Sequence, residues 1–263
     1  MSTAKTNTFL PAYTLCRREL VRFYRQPSRM VGVIGSPLLF WFIIGSGLGS
    51  SFRHPTASSE MNYLEYFFPG TVVLIILFTA IFSTMSIIED RQAGFLQSVV
   101  VAPVTRSSIA LGKILGGTIL SLIQSVILLV LAPFIGMPLS ILSFILIFIF
   151  LFIISFGLTG LGFIIAWRMD STQGFHAIMN LFLIPLWLLS GALFPPSGAA
   201  GWIRGVMLAN PLTYGVEGVR DILSLNSNQS MNAIATIPVS IGIVTLFAIA
   251  TFVLSAISVS KKR

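Results

Sequence analysis

ILSFILIFIFLFIISFGLTGLGFIIAW, the run from Ile141 to Trp167, holds no Asp, Glu, Lys or Arg. A helix needs roughly 18–20 apolar residues to cross the hydrocarbon core of a bilayer, and this run exceeds that length. Five more uncharged runs lie at Met30–Leu48, Tyr66–Ile88, Ile114–Leu131, Ala177–Phe194 and Ile234–Val259. The reading is an all-α integral membrane protein, one domain over 1–263. Its six transmembrane helices fall at 30–48, 66–88, 114–131, 141–167, 177–194 and 234–259. A composition of 55% hydrophobic and 9% charged residues, with mean hydropathy +0.93, argues against a water-soluble globule.

The charges between the runs set the orientation. With a cytoplasmic N-terminus, six crossings return the C-terminus to the same side. The inner segments then hold Lys5, Arg17, Arg18, Arg22, Arg25, Arg29, Arg91, Arg106, Lys113, Arg168, Lys261, Lys262 and Arg263, and the outer segments only Arg53, Arg204 and Arg220. Basic residues gather on the cytoplasmic side of membrane proteins, which fixes this orientation. It also accounts for the net charge of +8 without nucleic acid, and makes membrane lipids the expected partner of the basic surface. The small residues Gly45–Ser51 could end a signal peptide. The first run is too long for one, and its basic leader too extended, so it is read as a retained helix. The expected location is a bacterial-type inner membrane, crossed several times.

The acids Glu19, Glu60, Glu65, Glu89, Asp90, Asp170, Glu217 and Asp221 lie at boundaries or outside the runs, as do His54 and His176. Proton or ion coupling needs ionisable groups at membrane depth, so the motive force is expected from another chain. Cys16 is alone, which excludes an internal disulfide, and no metal site is expected. No nucleophile–base pair assembles, so no catalytic residue is assigned. Gly112-Lys113 lacks the earlier Gly and the following Ser or Thr of a phosphate-cradling loop.

Three segments between the runs are more informative than ordinary loops. Residues 1–29 comprise a polar tail and a helix over Pro11–Gln26. There Arg18, Arg22, Arg25 and Arg29 share one face, and Cys16, Leu20 and Phe23 another. This helix is expected along the inner membrane surface. The inner loop 89–113 opens on Glu89-Asp90-Arg91 and predicts a short helix from Gln92 to Val101. Phe95, Leu96, Val99 and Val100 share one face of it, and Pro103 stops it. Such an apolar face needs a cover, either lipid headgroups or a cytoplasmic subunit. Thr105 is the expected N-cap of the next helix. The outer segment 195–232 predicts a short helix at Trp202–Leu208, then a second one capped by Asn210 with Pro211 in its first turn. Leu212, Val216, Val219 and Leu223 form its apolar face, and Glu217, Arg220 and Asp221 are expected on the opposite one.

Two runs carry a family resemblance. E-D-R-x-x-G…A-P-V-x-R…G-K, from Glu89 to Lys113, and N-P-L-T-Y-x-x-E-x-x-R, from Asn210 to Arg220, resemble the membrane subunit of type-2 ABC exporters (ABC-2 permeases of drug or polysaccharide export). The resemblance implies a homodimer served by two copies of a separate ATPase. ATP and Mg would bind on that subunit, with no cofactor on this chain. It implies a coupling helix at Glu89, Asp90, Arg91, Gly94, Phe95 and Leu96, with Pro103 and Arg106 closing the segment. It implies a re-entrant outer gate at Trp202, Asn210, Pro211, Tyr214, Glu217 and Arg220. Phe144, Phe148, Phe152 and Phe156 recur every four residues and could line a path for an amphiphilic substrate, drug-like or a lipid-linked glycan. An ATPase-independent channel or scaffold stays open as the alternative.

Overall fold

The computed structural model describes residues 9–48, 62–225 and 235–260. The first outer loop and the end of the 195–232 segment lie mostly outside these residues. Ten α-helices run in order among these residues: α1 Phe9–Tyr24, α2 Pro27–Leu48, α3 Tyr63–Gln92, α4 Phe95–Val101, α5 Arg106–Leu129, α6 Ile141–Arg168, α7 Thr172–Trp187, α8 Gly201–Ala209, α9 Pro211–Ser224 and α10 Ile237–Ser260. The described residues contain no strand. Among the described residues six helices are long and apolar enough to cross a membrane: α2, α3, α5, α6, α7 with its continuation to Ala192, and α10.

α3 is the axis of the bundle. Nearly every residue from Tyr66 to Ile88 is buried, against α2, α5, α6, α7 and α9. α2 and α10 lie at the edges and show apolar flanks: Phe40, Phe42 and Ile43 on one, Leu246, Ile249 and Val253 on the other. In water each such side chain would forgo roughly 1.5–3 kcal/mol of burial, whereas lipid removes that penalty. Inside, the helices meet through small and hydroxyl residues, as expected where lipid weakens the hydrophobic drive to associate. Gly112 and Gly116 of α5 receive α1: a Cβ at Gly116 would stand 2.7 Å from the Glu19 Cβ. Thr79 donates to Gln124 at 2.7 Å, and Thr118, Ser121 and Ser125 return their hydroxyls to carbonyls four residues back.

Several boundaries differ from the sequence reading, each for a local reason. α3 runs through Glu89-Asp90-Arg91 because these charges find partners inside the protein. α5 begins at Arg106, well before the uncharged run, because Lys113 is buried in the same way. α7 starts at Thr172, capped by Ser171, and loses α geometry after Trp187. The chain there forms a π turn, Leu188–Ala192, in which Gly191 takes φ +78°. Pro185 weakens the preceding ladder, and glycine adopts the left-handed conformation without the steric cost other residues meet. Gly94, at φ +75°, likewise separates α3 from α4, so Gln92 belongs to the long helix and the short one is Phe95–Val101.

Candidate functional site

Glu89, Asp90 and Arg91 follow one another on the last turn of α3, so they point in different directions around the helix. Asp90 is buried and accepts from both terminal nitrogens of Arg18, at 2.6 and 2.7 Å, from Arg22 Nη1 at 2.8 Å and from Lys113 Nζ at 2.5 Å. Lys113, also buried, donates to Glu19 on α1 at 2.5 Å and to Ser86 on α3 at 3.1 Å. Glu89 accepts from Arg22 and from Arg29 of α2, the latter at 3.1 Å. One cluster therefore joins α1, α2, α3 and α5. The hydrogen bond to Asp90 holds the Arg18 guanidinium above its ordinary pKa, outweighing burial. Burial, with the Glu19 charge second, pushes the Cys16 thiol up, so it is no ready nucleophile.

Arg91 turns the other way. Its guanidinium donates to the carbonyls of Trp167, at 2.5 Å, and Met169, at 2.6 Å, and pairs with Asp170 at 3.0 Å. It ties α3 to the α6–α7 junction. Arg106 donates to the Val259 carbonyl at 2.8 Å and so satisfies the end of α10. The segment from Glu89 to Arg106 thus touches α1, α2, α6 and α10 at one end of the bundle.

The short helix between them turns its apolar face inward. Leu96 is buried, Val99 and Val100 pack on the core, and Phe95 lies under Arg18, 3.6 Å from guanidinium carbon to ring centroid. The cover that this face requires comes from the chain itself. What α4 presents outward is Gln97, Ser98 and Val101, with Val101 83% exposed and Pro103 beside it. Thr105 occupies the N-cap of α5, though its hydroxyl meets Ser108 Oγ instead of a backbone N–H.

At the opposite end, α9 departs from the amphipathic expectation. It is buried on the Leu212, Val216, Val219 and Leu223 side and on the Glu217 and Arg220 side alike. α3, α6, α10 and the π turn surround it, so its charges pair internally. Arg220 Nη1 donates to Glu217 at 2.6 Å, and Nη2 to the Gly191 carbonyl at 2.9 Å; the guanidinium stacks over Tyr66, 4.3 Å from its centroid. Tyr66 donates to the same Gly191 carbonyl at 2.9 Å.

Asn210 works at both its ends. Its carbonyl oxygen accepts from Leu212 N at 3.0 Å and starts α9, with Pro211 in the first turn. Its Nδ2 donates to the carbonyls of Leu186 and Leu189, at 2.6 and 3.1 Å, which the break after α7 leaves open. Tyr214 donates to the Leu208 carbonyl at 2.9 Å and folds α8 onto α9. Trp202, by contrast, is 71% exposed on α8 and joins nothing in this cluster.

The four phenylalanines of α6 divide. Phe144, Phe148 and Phe152 lie on the outside of the chain, while Phe156 packs on Phe252 of α10, centroids 5.7 Å apart. Sequence reasoning missed Arg18, Glu19, Arg22, Arg29 and Lys113 as cluster members. The i, i+4 spacing of Arg18 and Arg22, with Glu19 between them, is the available signal, while Asp90 lies 72 residues from Arg18. Among the described residues no group of His, Cys, Asp and Glu could hold a metal ion.

Comparison with known proteins gives this geometry a setting. The ABC-2 type transporter family profile matches residues 12–224. The ycf38 transport permease of Cyanophora paradoxa is 29% identical over 217 residues, 82% of this chain and 74% of the relative. The daunorubicin resistance ABC transporter permease DrrB1 of Streptomyces coeruleorubidus is 22% identical over 241 residues, 88% of this chain and 81% of its own. The multidrug ABC transporter permease YbhR of Escherichia coli K12 is 24% identical over 162 residues, 59% of this chain and 42% of its own. A chain with six membrane-length helices, matched along most of its length by this profile, is a multi-pass integral membrane protein and belongs to the ABC-2 type transporter family.

Proposed function

We propose that this chain is the permease subunit of an exporter driven by a separate ATP-hydrolysing subunit, with both termini and α4 on the ATPase side. The observation that carries the reading is the Glu89–Arg106 segment. It exposes a narrow edge, Gln97, Ser98 and Val101, while its charged ends grip α1, α2, α6 and α10. A push on that edge reaches most of the bundle through bonded contacts rather than loose packing. The family works with ABC ATPases, and two copies of each subunit around a twofold axis fit the reading.

The outer hairpin α8–α9 acts in this scheme as a gate that dips into the outer leaflet. Gly215 lies against Ile154 and Gly218 against Phe150, both well inside α6, which supports the depth. The substrate class is an amphiphilic organic molecule, and relatives named for daunorubicin resistance and multidrug transport favour the drug-like branch over a lipid-linked glycan. Phe144, Phe148 and Phe152 would meet it only at a surface shared with a second copy or with lipid.

The test places a charge on the exposed edge of α4. Ser98→Asp with Val101→Asp leaves Leu96 and the charge cluster untouched. Expected are normal insertion, an unchanged melting temperature in detergent and at least a tenfold loss of drug-stimulated ATP turnover when the co-expressed ATPase is reconstituted with the variant. Stimulation at the wild-type level would overturn the coupling assignment.

A further inference from the structure

α1 has two arginine populations. Arg18 and Arg22 spend their charge on Glu89 and Asp90, whereas Arg17 and Arg25 form no ion pair among the described residues. Both are exposed, and both border an open groove of about 660 Å³ whose other walls include Tyr13, Val21 and Gln26. Arg25, the residue after α1, follows Arg17 by eight positions, about 12 Å along a helix axis. Between them the wall is Val21, and beside them stand exposed aromatic rings, Tyr13 and Tyr24.

The chain passes from α1 through Gln26 straight into α2, a membrane-length helix that begins at Pro27. This exposed face is therefore held at a membrane boundary, whichever side that is. Its buried face is spoken for, since Gly112 and Gly116 seat α1 against α5.

We propose that the Arg17–Arg25 face of α1 is a binding site for an anionic phospholipid, the phosphate held between the two arginines and the acyl chains running along Tyr13 and Val21. Unpaired guanidinium groups supply the charge match, and apolar side chains interleaved with them suit an acyl chain better than a hydrated protein surface. A protein partner with an acidic surface is the competing occupant. The proposal does not depend on the ATPase.

The purified full chain in detergent, incubated with equimolar phosphatidylglycerol and phosphatidylcholine of identical acyl chains, is read by native mass spectrometry. Phosphatidylglycerol is expected to be retained preferentially, and Arg17→Gln with Arg25→Gln to lower its retention about tenfold while phosphatidylcholine is unaffected. Equal retention of the two lipids by the wild-type chain would overturn the proposal, and that arm needs no variant. Full retention by the double variant would also overturn it. So would loss of ATPase co-purification with lipid selectivity intact, which assigns the face to the protein partner. Loss of lipid selectivity with ATP turnover still stimulated by drug supports the lipid site and leaves the permease reading standing.

Discussion

Both ends of the bundle bury charge, but they use it differently. Around Asp90, three acids and four bases from four helices are bonded to more than one neighbour each in most cases. Around Arg220, a single ion pair lies three residues apart on one helix and meets, beyond itself, backbone oxygens and the side chain of Tyr66. Arg220 Nε has no hydrogen-bond partner among the described residues. The first arrangement welds separate helices together, and the second stitches a local break, the π turn at Gly191, to the helix that covers it. A welded end suits transmission of force. A stitched end can come apart at one pair.

The largest expected effect tests the weld. Asp90→Asn leaves Lys113, Arg18 and Arg22 facing one another, and breaking a buried ion cluster at one member costs about 3–5 kcal/mol. The melting temperature in detergent should fall steeply, and Lys113→Met should not rescue it, because Arg18 still lacks both of its short bonds, Arg22 keeps only Glu89, and Glu19 loses its close donor. A double variant as stable as the wild type would reduce the cluster to one independent pair. The stitched end should behave in the opposite way. Arg220→Met alone strands a buried Glu217 at a cost of about 3 kcal/mol, and adding Glu217→Gln should recover all but about 1 kcal/mol. If that rescue fails, Arg220 is bonded more widely than its contacts indicate.

Asn210 sharpens the contrast, since it serves two helices with one side chain. Asn210→Ala removes the cap and both carbonyl contacts, about 2 kcal/mol in all. Asn210→Asp keeps the cap but sets a carboxylate against the carbonyls of Leu186 and Leu189, so it should do no better. Hydrogen exchange over 186–193 reads the outcome: both variants should loosen the π turn and leave the Asp90 end protected. Equal loosening at both ends would mean that the two clusters are coupled directly.

Much of this fold is legible in the sequence, because a bilayer constrains it so strongly. The six long helices follow from runs without charge, and the Asn210-Pro211 start of α9 follows from capping chemistry that acts within three residues. What is not legible depends on distance in sequence. Asp90 and Arg18 are 72 residues apart, and nothing local tells whether the acid meets a partner subunit or its own α1. The same limit governs the inward turn of Leu96 and the burial of Glu217 and Arg220. Helical periodicity separates two faces but does not say which is covered when every side of the helix meets protein. The break at Gly191 was hidden for another reason: Leu188–Ala192 is as apolar as the helix before it, and hydropathy does not register a reversed φ.

The smallest effect lies next to the stitched pair and tests its electrostatics. Burial, with the charge of Glu217 second, pushes the Asp221 carboxyl from 3.8 up to about 6, against the pull of Arg220. Between those values the folded chain keeps a proton that the unfolded chain releases. Stability contributed here is therefore lost as pH rises through that window and stays lower above it. Asp221→Asn removes the titration. The variant should match the wild type near pH 4 and exceed it above pH 6 by about 1 kcal/mol, a figure reduced because the group is partly exposed. Melting temperatures of the two proteins across this range check it. A gap that does not change with pH would mean that Arg220 neutralises Asp221 as well as Glu217, and the outer end would then be a three-membered cluster resembling the inner one in kind.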